Sequence, residues 1–273
     1  MTPAPANVAE EARTGQLTGN AAETYEDFFV PSLFGQFAAP LCAAVGIGPG
    51  DAVLDVACGT GIVARAAHPL VQPDGSVTGV DINPGMLAVA RRLGTGIDWR
   101  DGRAEALPFA DGSFDAVTCQ FGLMFFDDRA KALAEMARVA KPGGRLAVSV
   151  WDAIETSPGY AALSAILDDM FGADIAAALH MPFVLGNPAE FAAPFEAAGI
   201  AKPQIVTQTG TARFASIDAW MHTEIRGWTL ADVLDDDQFV ALLDRARSDL
   251  SRFAGADGAV SFAAPVHIAT VML

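Results

Sequence analysis

Val53-Leu54-Asp55-Val56-Ala57-Cys58-Gly59-Thr60-Gly61 is the stretch on which the reading of the chain turns. Residues Asp51 to Ala57 form a short apolar run bounded by Pro49-Gly50 and Gly59, the pattern of a buried strand. A helix is predicted directly after it, from Ile62 to about Leu70. A strand that passes through glycines into a helix belongs to a doubly wound parallel sheet. The glycines there let a ligand come close to the backbone at the strand's carboxyl end.

Outward from this unit the pattern repeats. Ser76 to Ile82 reads as a second strand, Pro84 to Leu93 as a helix, Ile97 to Asp101 as a third strand and Phe114 to Gln120 as a fourth. Asp128 to Val139 is an amphipathic helix predicted to stop at Pro142-Gly143-Gly144, and Arg145 to Trp151 is a fifth strand. Upstream, Met1 to Gly19 reads as a tail. Asn20 to Val45 reads as helical, with aromatics at Tyr25, Phe28, Phe29, Phe34 and Phe37, and is expected to be broken into short helices by Pro31 and Pro40. Downstream, helices are expected over Ser157 to Gly172, Pro188 to Ala198 and Ser216 to Phe253, the last broken near Asp235. Lys202 to Arg213 and Ala259 to Leu273 read as strands, and His180 to Gly186 as an apolar loop. The expected fold is α/β: a mostly parallel, doubly wound, Rossmann-like sheet with a helical lid inserted late in the chain. Three parts follow: 1-45, a tail and cap helices; 46-151, the ligand-binding core; 152-273, lid segments plus the last strands of the same sheet.

Composition limits the function. The chain has 273 residues, 52% of them hydrophobic and 18% charged, enough for one large core. Lys and Arg total 17 against 33 Asp and Glu, a formal net charge of −16. Such a chain repels phosphate backbones and anionic membrane surfaces, so neither nucleic acid nor membrane is an expected partner. The first residues carry Glu10 and Glu11 and no apolar run, unlike a signal peptide, and the longest apolar stretches look broken short of the ~18 residues of a membrane helix. Cys42, Cys58 and Cys119 form no disulfide framework, which points to a reduced, cytoplasmic setting. His68, His180, His222 and His267 have no metal-ligand spacing, so no metal is expected.

Gly59, Gly61 and Ala64 fit G-x-G-x-x-G/A, a pattern shared with dinucleotide sites. Asp55 argues against a dinucleotide, because a carboxylate at the strand's end repels a pyrophosphate and attracts a cation. Asp81 ends the second strand, 20 residues after Gly61, where a carboxylate accepts hydrogen bonds from ribose hydroxyls. Asn83 is the better-placed cap for the helix beginning at Pro84.

These segments together resemble the class I S-adenosylmethionine-dependent methyltransferases, in particular the UbiE-like small-molecule branch, over about Gly48 to Trp151. The motifs are VLDVACGTG from Val53, GVDINPGML from Gly79, AEALPFADGSFDAVTCQFGLMFF from Ala104 and RVAKPGGRLAVSVW from Arg138. The resemblance implies that Asp55, Ala57, Gly59 and Gly61 surround the methionine part of the cofactor. It implies that Asp81 holds the ribose, with Ile82 and Met86 beside the adenine and Ala104 at the adenine edge through its backbone. Gln120 and Phe121 would lie beside the methionine part and the transferable methyl. Arg103 departs from the family, which often has Asp there. The adenine amino group is then left to Asp101, to the backbone, or without that bond.

The implied reaction is methyl transfer to a small, partly hydrophobic organic acceptor. A sulfonium is already activated, so the enzyme supplies proximity and alignment, and a base is needed only for a hydroxyl or a carbon acid. Acceptor residues must come from the lid. Ile217, Trp220, Met221, Glu224, Ile225 and Trp228 share one face at helical spacing. Glu224, one turn from each tryptophan, suits a cationic or protonated acceptor, the plainer alternative being a solvated rim carboxylate. Glu224 and the neighbouring His222 are the candidate catalytic groups, with His180 behind them. Tyr160, Met181, Phe183, Trp220 and Trp228 are the candidate substrate residues, against the alternative of core packing. The rival functions are a NAD-dependent oxidoreductase on a similar fold, and a protein that binds S-adenosylmethionine without methylating. A donor-using enzyme of another outcome, such as aminopropyl transfer, is a third.

Overall fold

The structure, a computed structural model, describes residues 21–226, 230 and 233–273. Its seven strands are β1 (Ala52–Val56), β2 (Ser76–Asp81), β3 (Asp98–Asp101), β4 (Phe114–Gln120), β5 (Ala140–Trp151), β6 (Gln204–Phe214) and β7 (Val260–Met272). They form one sheet in the order β3-β2-β1-β4-β5-β7-β6. Neighbours from β3 to β5 pair parallel, while β7 runs antiparallel to both β5 and β6. The chain builds outward from β1 to β3 and then crosses to β4. The order therefore reverses between β1 and β4, and a crevice opens at the carboxyl ends of those two strands.

Helices cover the sheet: α1 (Ala38–Val45), α2 (Ile62–Val71), α3 (Pro84–Leu93), α4 (Arg129–Val139), α5 (Pro158–Phe171), α6 (Ala173–His180), α7 (Pro188–Ala197), α8 (Ile217–Met221) and α9 (Asp236–Asp249). Val53, Leu54 and Val56 of β1 are fully buried, as a strand covered on both faces requires. α1 packs on α2 and across β4 and β5, and α4 packs on β5 and α7. α3 starts as its sequence dictates: Pro84 takes the first position and the Asn83 side chain accepts from the Gly85 and Met86 amides.

Two expectations are corrected. Pro31 and Pro40 do not break the N-terminal segment. Helical structure runs on through Ala21–Thr24, a π-helical stretch Tyr25–Phe34, a 3-10 turn Gly35–Phe37 and α1. A proline ring crowds the carbonyl four residues back; the wider π register around Pro31 relieves that crowding, and Pro40 falls in the first turn of α1. The Gly35 amide accordingly donates to the Val30 carbonyl, five residues back. The joined run Ala22–Val45 is long and apolar enough, by length and composition, to cross a membrane, and half of its most apolar window is buried inside the protein. Phe29, Phe34, Phe37 and Leu41 of this run belong to the core.

Second, α4 ends at Val139 and the Pro142-Gly143-Gly144 segment lies within β5. The end of β7 holds it there, since Gly143 N donates to Leu273 O and Leu273 N to Gly144 O. The C-terminal strand β7 is enclosed between β5 and β6, with residues 266–270 paired on both sides.

Candidate active site

The crevice at the end of β1 and β4 widens into a cleft between the sheet, the N-terminal helical run and the late helices. Asp81, at the end of β2, is 8% exposed. Its Oδ2 accepts from the Gly59 amide at 2.8 Å and its Oδ1 from the Asn83 amide at 2.8 Å. Two backbone donors thus fix the carboxylate while its remaining lone pairs face the cleft. Burial pushes its proton affinity up, and those amides pull it back.

Of the expected cofactor residues, Ala57, Gly59, Asp81, Ile82, Met86, Ala104, Gln120 and Phe121 line the cleft. Asp55 and Gly61 do not, which corrects the direct contact expected for them. Asp55 is 1% exposed and lies behind the glycine turn. Its Oδ2 accepts from the Ala64 amide in the first turn of α2 at 3.1 Å, and its Oδ1 from the Thr118 hydroxyl on β4 at 3.0 Å. It shapes the turn by joining β1, α2 and β4, and it faces the helix's positive end. Burial and the nearby Asp81 push its carboxyl up to about 7. Gly61 has φ +87°, and a Cβ on it would stand 2.3 Å from Cη2 of Trp99. The glycine is there so that the turn can close on that indole.

Ala57 and Phe121, at the ends of β1 and β4, take φ of +54° and +55°. Left-handed backbone on residues with side chains is strained and collects at working sites. Gln120 donates from Nε2 to the Phe34 carbonyl at 3.2 Å, whereas its buried Oε1 has no hydrogen-bond partner. Arg103 is the only basic residue lining the cleft among those described, and it is paired with Asp127 at 2.9 Å and Glu105 at 3.6 Å. Asp101, one of the suggested substitutes for the family's Asp, is not part of the lining, whereas the backbone of 102–105 is.

The far half of the cleft is aromatic. Phe121 and Trp151 stack at 4.3 Å with ring planes 11° apart. Tyr160 and Phe183 follow at 5.4 Å. The Tyr160 hydroxyl donates to Glu224 Oε2 at 2.9 Å, and both residues line the cleft. Burial pushes the Glu224 carboxyl up to about 7, with the Tyr160 bond pulling the other way.

The other lid residues part company. His222 is exposed, with its ring 4.9 Å from that of Phe239, and does not line the cleft. Trp220 is fully buried, stacked on Phe214 at 5.5 Å, and is core. Met181 is outside the lining, which takes its neighbours Pro182 and Phe183 instead, and His180 bonds Ser164 at 2.6 Å. Trp228 lies outside the described residues. Trp220, Met221 and Ile225 do share one buried face, with Ile217 and Glu224 half-buried, but of these only Glu224 reaches the cleft lining. The sequence reading missed Tyr25, Phe29, Leu33 and Phe34, which wall the cleft from the N-terminal run. The spacing of those apolar residues was the available signal. Among the described residues, no group of His, Cys, Asp or Glu could hold a metal ion.

The donor set suits S-adenosylmethionine. A carboxylate stands ready for ribose hydroxyls, the orphaned Gln120 Oε1 for a cationic group, and Ile82 and Met86 for an adenine face. The comparisons agree with that chemistry. Residues 54–148 match the family described as "Methyltransferase domain". Demethylmenaquinone methyltransferase of Renibacterium salmoninarum is 51% identical over 106 residues, 39% of this chain and 44% of the relative. Ubiquinone/menaquinone biosynthesis C-methyltransferase UbiE of Hahella chejuensis is 46% identical over 109 residues, 38% of this chain and 44% of the relative. The chain thus spans under half the length of these curated relatives. A solved structure of phosphoethanolamine N-methyltransferase 2 from Haemonchus contortus, with phosphomonomethylethanolamine and S-adenosylhomocysteine, superimposes with TM-score 0.59 at 17% identity. That match covers 98% of this chain and 61% of the other, and at such identity it speaks for the fold. Over residues 54–148 the chain is thus similar to methyltransferase domains, and its fold is that of class I S-adenosylmethionine-dependent methyltransferases. The curated relatives named above place that similarity on the UbiE and demethylmenaquinone methyltransferase side.

Proposed function

We propose that the protein transfers the methyl group of S-adenosylmethionine to a hydrophobic, aromatic small molecule of the quinone type, acting on the reduced form. The observation that carries this reading is Asp81, pinned by the Gly59 and Asn83 amides at the mouth of a cleft that continues into an aromatic chamber. In this reading Asp81 accepts from the ribose hydroxyls. Ile82 and Met86 flank the adenine, and the Ala104 backbone meets its edge. Ala57, Gly59, Gln120 and Phe121 hold the methionine part, with Asp55 and Gly61 supporting them from behind. The bound donor supplies an electrophilic methyl, and the chain supplies alignment. The Phe121–Trp151 stack excludes water and presents a flat wall on which an aromatic acceptor packs. The names of the curated relatives support the quinone-type acceptor. The acidic chain and its three free cysteines fit an enzyme working in the cytoplasm without nucleic-acid partners.

Isothermal titration calorimetry tests the donor site. S-adenosylmethionine and S-adenosylhomocysteine are expected to bind in the micromolar range and NADH not at all. Binding of NADH alone would overturn the reading in favour of an oxidoreductase.

A further inference from the structure

The far wall of the cleft holds a largely buried carboxyl group with no cation beside it among the described residues. Glu224 comes from the π-helical turn His222–Arg226, and the Tyr160 hydroxyl of α5 donates to its Oε2 at 2.9 Å. No other hydrogen bond or ion pair reaches the carboxyl from the described residues. The charged neighbours on its own turn point elsewhere. His222 turns to Phe239, and Arg226 to Asp236 at 2.6 Å and the Leu234 carbonyl at 3.2 Å. The other lid residues that line the cleft, Pro182 and Phe183, do not titrate, nor does Trp151 at the end of β5. Among the described residues, the lid's lining is therefore apolar apart from one carboxyl and one phenol.

A buried carboxylate needs a donor or a cation to be tolerated. Tyr160 satisfies one oxygen, and the other is left for whatever enters. A cationic acceptor would place a second positive charge in the same low-dielectric cleft as the sulfonium, and an ammonium has no lone pair with which to attack a methyl group. A neutral hydroxyl on an aromatic ring meets both requirements. Its ring packs on Trp151 and Phe183, and its O–H points at the free carboxylate oxygen.

We propose that Glu224, held by Tyr160, receives the hydroxyl proton of a neutral phenol- or quinol-type acceptor and thereby selects that acceptor class. This deepens the methyl-transfer reading and rests on it. The acceptor's O–H bond breaks and its proton passes to Glu224. The ring carbon conjugated with the oxygen gives an electron pair to the methyl carbon. The methyl–sulfur bond breaks with its pair on sulfur, leaving S-adenosylhomocysteine. The proton on the methylated ring carbon is then lost to water, restoring the aromatic ring, while Glu224 returns its proton to the oxygen.

Calorimetric titration of 2-naphthol into the full chain saturated with S-adenosylhomocysteine tests this, with tryptamine as the cationic counterpart. In the wild type, 2-naphthol affinity is expected to fall about tenfold as pH drops from 8 to 5.5 and Glu224 takes up a proton. Glu224→Gln should bind it about tenfold more weakly at pH 8, with no pH response. Tyr160→Phe should keep the response but move its midpoint upward, because the bond that lowers the carboxyl's proton affinity is gone. Tighter binding of tryptamine than of 2-naphthol, no binding of 2-naphthol, or a wild-type pH profile in Glu224→Gln would each overturn the proposal. If Glu224→Gln also fails to bind S-adenosylhomocysteine, the wild-type and Tyr160→Phe profiles decide. Failure of the wild type to bind S-adenosylhomocysteine is a different result, and it strikes the methyl-transfer reading itself.

Discussion

Ala57 and Phe121 hold their left-handed backbones at the two strand ends that frame the cleft, a conformation costing about 1–3 kcal/mol per residue. Ala57→Gly removes that cost at one position, and chemical denaturation should show a gain of about 0.5–1 kcal/mol. Gly61→Ala works in the opposite direction. The new methyl would meet Trp99 at 2.3 Å on a backbone at φ +87°, so a loss of about 2–3 kcal/mol is expected in the same assay. Asp81→Asn leaves the fold intact but exchanges charge-assisted bonds for neutral ones. Affinity for S-adenosylhomocysteine should drop about tenfold to a hundredfold by calorimetry. Most of these residues could be named from the sequence, because the glycines, Asp55 and Asp81 sit at fixed offsets from strand ends. Their depth could not. Nothing in the spacing tells that Asp55 faces Ala64 and Thr118 rather than the ligand, since that depends on β4, 63 residues away in the chain.

At the scale of elements, β1 and β4 were legible because strands buried on both faces read as apolar runs between turn residues, whereas the edge strand β3, with only Trp99 buried, was legible from its place between a helix and a turn. The N-terminal helix was misread because proline argues for a break only in α geometry, and the chain answers with a π register. The lid face was legible as a buried face, but which of its residues reaches the cleft depends on packing against α5 and β7. β7 could be named as a strand, but its insertion between β5 and β6 is a long-range fact. That insertion places His267 at a junction. Its Nδ1 bonds the Thr207 hydroxyl of β6 at 2.9 Å, and its Nε2 meets the Gly186 carbonyl at 2.9 Å and Asp152 Oδ1 at 3.2 Å. The segment 181–186 that carries Pro182 and Phe183 to the cleft is thereby tied to the sheet. His267→Leu should raise the acceptor's KM several-fold in a steady-state assay and leave the Kd of S-adenosylhomocysteine within about twofold. A large loss of donor affinity would show that the tie serves the whole cleft.

For the whole molecule, the buried carboxyls set the response to pH. Asp55 and Glu224 are pushed up to about 7, and Asp81 is raised as well, each mainly by burial. A carboxyl raised on folding binds its proton more tightly in the native state, so its stabilising contribution is complete below the unfolded value near 4. That contribution is lost as pH rises through about 7. The thermal midpoint of the free protein should therefore fall between pH 5.5 and pH 8.5, and Asp55→Asn should flatten that slope. A midpoint that rises across this interval would contradict the burial of these groups. The family match spans 54–148, whereas the far half of the cleft is assembled from later segments that meet by packing rather than by motif. Trp151 sits where the two join, face to face with Phe121 and lining the cleft. Its indole emission is thus a built-in optical gauge of occupancy: ligands that slide between donor and acceptor walls will change its colour and yield. Filling of the pocket can be followed in a cuvette with no label attached.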